Sequence, residues 1–182
     1  SCIIEDDLLE VLRSAKSPGF SWNPGRFHLQ RGCDDPTCKA LLQETDLLFL
    51  NREEALAFTK QTSIEQAFLL LAGAGVRTVC ITDGANGSYG SDGKQMWHCP
   101  VETGASLVDT TGAGDAFGTG AVWAFLHGKT LPEMLQSGTI NATSVVGAFG
   151  AQAALLTDTE MHTRLKASAL RVTVGSLTPH SH

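Results

Sequence analysis

The stretch DTTGAGDAFGTG, Asp109 to Gly120, decides how this chain is read. It sets two aspartates around Gly112, Gly114 and two threonines, immediately before an apolar run. The pattern fits a junction from a strand into a helix. Gly112 and Gly114 let the backbone turn successive N–H groups toward one point. The helix behind them adds the positive end of its dipole, so the junction suits a phosphate or a developing anion. Asp115 then lies in the first helical turn, where the dipole keeps its carboxylate ionised and ready to accept a proton. A carboxylate beside an anion hole is what phosphoryl transfer to a hydroxyl requires. A glycine-rich turn with Asp115 as a simple helix-end charge fits these residues equally well.

Outward from this stretch, helical and strand-like segments alternate, which predicts an α/β fold with a largely parallel sheet. Upstream, Leu8, Leu9, Leu12 and Ala15 are spaced for a helix over Glu5–Ala15. GFSWNP reads as a short strand, the next thirteen or so residues as loop, and Pro36 as the opening of a short helix around Cys38–Gln43. The apolar run Asp46–Asn51 predicts a strand covered on both faces. Helices follow at Arg52–Phe58 and Ile64–Ala72, the second with Ser63 as N-cap. Val76–Gly84 is a second buried strand, and SYGSDGKQMWHCP a hairpin turning at Asp92–Gly93. Downstream, Ala113–Leu126 is apolar nearly all round and is expected to be buried. Thr130 and Glu133 form a capping box for a helix whose face runs through Leu131, Leu135, Gly138, Ala142, Val145 and Phe149. A last helix is expected at about Asp158–Leu170, and a frayed tail after it.

Composition narrows the function. The chain has 182 residues, 42% of them hydrophobic and 18% charged, and a net charge of −6. An acidic chain with no basic stripe predicts neither a nucleic acid nor an anionic membrane as partner. No apolar run approaches a transmembrane length, and the first residues lack a basic flank and a cleavage site. The five cysteines show no framework spacing, Cys33 and Cys38 have no second pair to complete a zinc site, and Cys80 reads as a buried free thiol. The expected location is cytoplasmic. Among the histidines only terminal His180 and His182 have a metal-like spacing, and a frayed tail leaves those solvated. Neither a P-loop nor a GxGxxG fingerprint occurs.

Four pieces, in order, resemble the ribokinase-like (PfkB) carbohydrate kinases. DTTGAGDAF resembles their second signature, NREE their N-x-x-E element, TDGANGS the end of their nucleotide-binding strand, and GAFGAQAAL the segment near adenine and a monovalent cation. The resemblance runs from about Gly19 to Thr157. Thr119 departs from it, replacing a smaller residue, and is expected only to tighten packing. The resemblance implies a three-layer αβα sandwich with a mostly parallel sheet, with ATP, Mg2+ and K+ as cofactors. It makes Asp115 the catalytic base and Gly112, Ala113 and Gly114 the anion hole. Asp109 and Thr111, with main-chain carbonyls near Ala148 and Gly150, would hold the K+. Without the resemblance, Asp109 reads as a turn-forming aspartate.

Asn51 and Glu54, three apart at a helix start, are expected to organise a hydrated Mg2+ and the nucleotide phosphates. They also fit a capping box, and both roles can hold at once. Thr82, Gly84 and Gly87 would line the nucleotide, with Asn86 and Ser88 making the turn. Asn141 is a candidate for the adenine or, equally, a core-edge residue.

Members of this family carry an N-terminal half with the sugar-contacting residues, a glycine-rich first signature and a β-sheet lid; none is visible here. Residues 1–182 are therefore read as the C-terminal portion of a single ribokinase-like kinase domain. Its substrate would be a small-molecule sugar, and its open sheet would be covered by the missing half, a partner chain or a second copy. Two readings follow: an ATP-dependent sugar kinase, or a non-catalytic nucleotide-binding or assembly module of the same fold.

Overall fold

The computed structural model describes residues 9–12, 14, 19–102, 112–146 and 155–177. Among these, strands and helices alternate as expected for an α/β chain. The strands are β1 (Ser21–Trp22), β2 (Leu47–Asn51), β3 (Thr78–Thr82), β4 (Ser88–Ser91), β5 (Gln95–Cys99) and β6 (Thr173–Ser176). The helices are α1 (Arg26–Arg31), α2 (Pro36–Glu44), α3 (Arg52–Thr59), α4 (Ile64–Gly73), α5 (Ala113–Leu126), α6 (Leu131–Val146) and α7 (Asp158–Ala167). The six strands form one mixed sheet in chain order. β1 and β2 are parallel, with Ser21 opposite Leu47 and Trp22 opposite Leu48. β4 and β5 are joined by three residues, a connection that only antiparallel neighbours allow.

By internal contacts the chain divides into two compact units. One comprises Ser1–Ile81, Ser91–Met96 and Ser176–His182; the other comprises Thr82–Gly90 and Trp97–Gly175.

In the first unit the apolar run of β2 is buried at Leu47, Leu48, Phe49 and Leu50, as a strand covered on both faces should be. Phe58 of α3 and Phe68 and Leu71 of α4 are buried with it. Trp22 meets the Phe58 ring edge-on at 6.2 Å. The helix starts are capped as their sequences direct: Asp35 accepts from the N–H groups of Thr37 and Cys38, and Ser63 from that of Gln66. Asp92 accepts from the N–H groups of Lys94 and Gln95 and so makes the expected hairpin turn. The stretch read as loop after GFSWNP contains α1. That helix has no buried residue and no side-chain cap, so neither apolar periodicity nor a start signal marks it.

In the second unit α5 packs along α6. Its buried positions are Ala116, Phe117, Gly120, Ala121 and Ala124, a single stripe. Burial on every side was the sequence expectation, and Leu126, 60% exposed, departs from it. Gly120 explains how close the helices come. A Cβ there would lie 2.5 Å from the Ser137 carbonyl oxygen and 2.9 Å from the Asn141 Cβ. Thr130 and Glu133 pair at the start of α6, and their hydrogen bonds hold the Glu133 carboxyl below its usual range. The last helix ends at Ala167 rather than Leu170, because Ser168 is extended. A capping box of Thr157 and Glu160 opens it. Phe149 of the predicted α6 face, most of the helix predicted at Glu5–Ala15 and the tail from residue 178 lie outside the described residues.

Candidate active site

α5 begins where the sequence places its junction. Gly112 is the N-cap residue, at φ 82° and ψ −1°, a left-handed conformation that suits glycine. Among the described residues no side chain caps this end. The first N–H groups of a helix have no acceptor within it, so the turn at Ala113, Gly114 and Asp115 presents donors at the positive end of the dipole. The first return bond, from the Ala116 N–H to the Gly112 carbonyl at 2.9 Å, comes after them. Asp115 is exposed in that same turn. Thr119, one turn on, is exposed and donates to the Asp115 main-chain carbonyl at 2.9 Å. It tightens no packing, contrary to expectation.

Gly114 stands apart from the glycines that the chain's own geometry requires. It has no positive φ, and a Cβ placed on it would meet none of the described residues within 4 Å. Glycine in a helix costs about 1 kcal/mol relative to alanine. Neither the backbone conformation of Gly114 nor packing by the described residues offsets that cost.

Behind the junction, Asn141 of α6 is 2% exposed. Its amide donates to the Ala116 carbonyl at 2.8 Å, and its oxygen accepts from the Leu156 N–H at 3.1 Å. The side chain thereby ties the first turn of α5 to the chain leading into α7. Its known bonds are to backbone, and it holds the carbonyl next to Asp115.

The strand end before this region is a tight turn. Gly84–Asn86 form one 3-10 turn after β3, with the Asp83 N–H bonded to Gly87 O at 2.8 Å and the Gly87 N–H to Gly84 O at 3.1 Å. Thr82 is half-buried at the strand end, and a Cβ on Gly84 would meet only open space. Gly87 has a structural reason to be glycine: a Cβ would lie 2.2 Å from the Cys99 carbonyl oxygen. Asn86 helps make the turn through a bond to Asp83 at 3.2 Å. Ser88 does not. It is buried in β4 with its hydroxyl 3.4 Å from that of Thr139.

In the first unit, Asn51 and Glu54 form a reciprocal capping box at the start of α3. The Asn51 side chain accepts from the Glu54 N–H at 2.8 Å, and Glu54 Oε2 accepts from the Asn51 N–H at 2.9 Å. The second carboxylate oxygen of Glu54 has no part in the box. Asp109, Thr111, Ala148 and Gly150 lie outside the described residues.

The family described as pfkB family carbohydrate kinase matches residues 9–158. Among its relatives, an uncharacterized sugar kinase of Archaeoglobus fulgidus is 30% identical over 139 residues, covering 74% of this chain and 52% of its own. Fructoselysine 6-kinase of Escherichia coli strain K12 is 31% identical over 118 residues, 65% of this chain and 43% of its own. The chain thus spans about half the length of these relatives. The crystal structure of Arabidopsis thaliana ribokinase, complexed with ribose and ATP, superposes with a TM-score of 0.68 at 26% identity, covering 90% of this chain and 60% of that one. By the extent of that family match and the ribokinase-like fold, the chain belongs to the pfkB family of carbohydrate kinases.

Proposed function

We propose that the chain carries the nucleotide-binding and phosphoryl-transfer part of an ATP-dependent carbohydrate kinase. The observation that carries this reading is the start of α5, where a glycine-opened helix end shares one turn with an exposed carboxylate. The N–H groups of Gly112, Ala113 and Gly114 hold the oxygens of the transferring phosphoryl group. Asp115 takes the proton of the attacking sugar hydroxyl as its oxygen bonds to the γ-phosphorus and the bond to the departing ADP breaks. Gly114 supports the assignment, since among the described residues nothing occupies the space a side chain would take there, which leaves room for a phosphate. Thr82, Gly84 and Gly87 line the nucleotide, and Asn141 keeps the first turn of α5 in place beside it.

Asn51 and Glu54 fit a hydrated Mg2+, because both are oxygen donors near the surface and the box leaves one carboxylate oxygen over. A magnesium ion there would neutralise phosphate charge. Asp109, Thr111 and carbonyls near Ala148 and Gly150 are proposed for K+; titrating KCl against NaCl at constant ionic strength should give separable curves of nucleotide affinity. The acceptor is a sugar, and the groups that position it are proposed to lie in the family's N-terminal half rather than in these residues.

The test of the base is Asp115→Asn, which keeps the shape and removes the proton acceptor. In a protein competent for transfer, assayed with ATP against hexoses, pentoses and nucleosides, turnover should fall by roughly two or more orders of magnitude. ADP affinity should hardly change. Undiminished turnover would remove Asp115 from the chemistry.

A further inference from the structure

His127 follows the last residue of α5, and Asp158 and His162 lie one turn apart on α7. We propose that these three side chains bind one divalent transition-metal ion of the zinc, nickel or copper type, at a site separate from the start of α5. One ligand atom from each lies within 4.8 Å of the others. His127 Nε2 is 3.3 Å from Asp158 Oδ1, and His162 Nε2 is 3.7 Å from the same oxygen. Ligands held tetrahedrally at zinc distances of about 2.1 Å stand roughly 3.4 Å apart. The cluster needs only small side-chain movements to close on an ion.

The surrounding hydrogen bonds prepare the ligands. His127 Nδ1 is 2.8 Å from the Trp123 carbonyl oxygen. A carbonyl only accepts, so Nδ1 carries the proton and the Nε2 lone pair of the neutral ring points at the carboxylate. A proton or a metal ion between these two atoms removes the repulsion of their lone pairs, so the two compete for one place. Trp123 Nε1 donates to Asp158 Oδ1 at 2.8 Å, fixing the carboxylate as outer partners of metal ligands do. The Trp123 ring also stands 4.4 Å from that of His127 and 4.8 Å from that of His162, which limits how the imidazoles turn.

The donor set selects the ion. Two imidazoles and one carboxylate suit borderline metals such as zinc, nickel and copper, whereas Mg2+ prefers an all-oxygen shell. All three side chains are part-exposed, at 38%, 63% and 42%, so water can complete the coordination. An ion held there would clamp the C-terminal end of α5, whose other end carries Asp115, to the start of α7.

The experiment is calorimetric titration of ZnCl2 into the 182-residue chain, first freed of metal by a chelator. The chain should carry His180→Ser and His182→Ser, so that the tail supplies no ligand. One equivalent should bind, and a tenfold excess of Mg2+ should not displace it. His162→Gln and Asp158→Asn, both exposed substitutions that leave the helix intact, should each weaken binding by at least about tenfold, and Trp123→Phe by less. With Cu2+ in place of zinc, Trp123 fluorescence should be quenched in the parent and not in His162→Gln. No binding in the tail-substituted chain, or the same affinity in both ligand variants, overturns the site and leaves the cluster a protonated ion pair.

Discussion

The amide of Asn141 donates to the main-chain carbonyl of Ala116, the residue after Asp115, at 2.8 Å. Its oxygen at the same time accepts from the Leu156 N–H at 3.1 Å. With the side chain 2% exposed, water is not at hand to replace either bond. Asn141→Ala should therefore destabilise the fold by about 1–3 kcal/mol, the cost of leaving buried polar groups unsatisfied. Urea unfolding would show a lower midpoint with an unchanged slope. An unmoved midpoint would mean that the amide holds nothing in place.

Two glycines of α5 should respond oppositely to alanine. At Gly120 the new methyl would stand 2.5 Å from the Ser137 carbonyl oxygen, a backbone atom that cannot swing away. The helices must separate, and the cost should be about 1–3 kcal/mol, more than the helix-propensity gain. At Gly118 none of the described residues lies within 4 Å, so the substitution should add roughly 0.5–1 kcal/mol of stability. Thermal melts of the two variants test the pair, and equal shifts would contradict the packing of α5 on α6.

Cys80 should be inert in the native chain. It is 1% exposed on β3, and burial pushes its thiol up to about 12 from an ordinary value of 9.0. The unfolded chain gives up this proton first, so the contribution to stability is whole below pH 9 and is lost as the pH rises toward 12. Cys80→Val should flatten the alkaline fall in stability between those limits. Alkylation of Cys80 should need unfolding. Labelling as fast in the native chain as in urea would contradict its burial.

Much of this architecture was legible because single residues carry local signals. Asp92 and Gly93 make a turn wherever flanking strands pair, and Asn51 with Glu54 caps a helix without outside help. Gly112 and Asp115 likewise announce the start of α5. What escaped depends on contacts distant in sequence. α1 buries no residue, so RFHLQR shows no apolar stripe, and β6 is a four-residue strand with no buried position. Glycine letters in a helix do not say why they are there. Gly120 answers to a neighbouring helix, Gly114 meets none of the described residues, and only the packed chain separates them. The pairing of Ser88 with Thr139, that of Asn141 with Ala116, and the meeting of His127 with Asp158 and His162 join residues 51, 25 and 31 or more positions apart. No periodicity spans such distances.

ADP binding to the 182-residue chain and to its Gly114→Val variant tests the anion hole at the start of α5 most directly. A Cβ there meets none of the described residues within 4 Å, and valine improves on glycine as a helix former, so the variant should fold as well as the parent or better. It would nevertheless cover the N–H groups proposed to hold the phosphates. Calorimetry should show ADP binding to the parent, weakly, and a loss of at least tenfold in the variant, with the thermal midpoint unchanged or raised. Equal ADP affinity in the two folded proteins would contradict the anion hole at the start of α5.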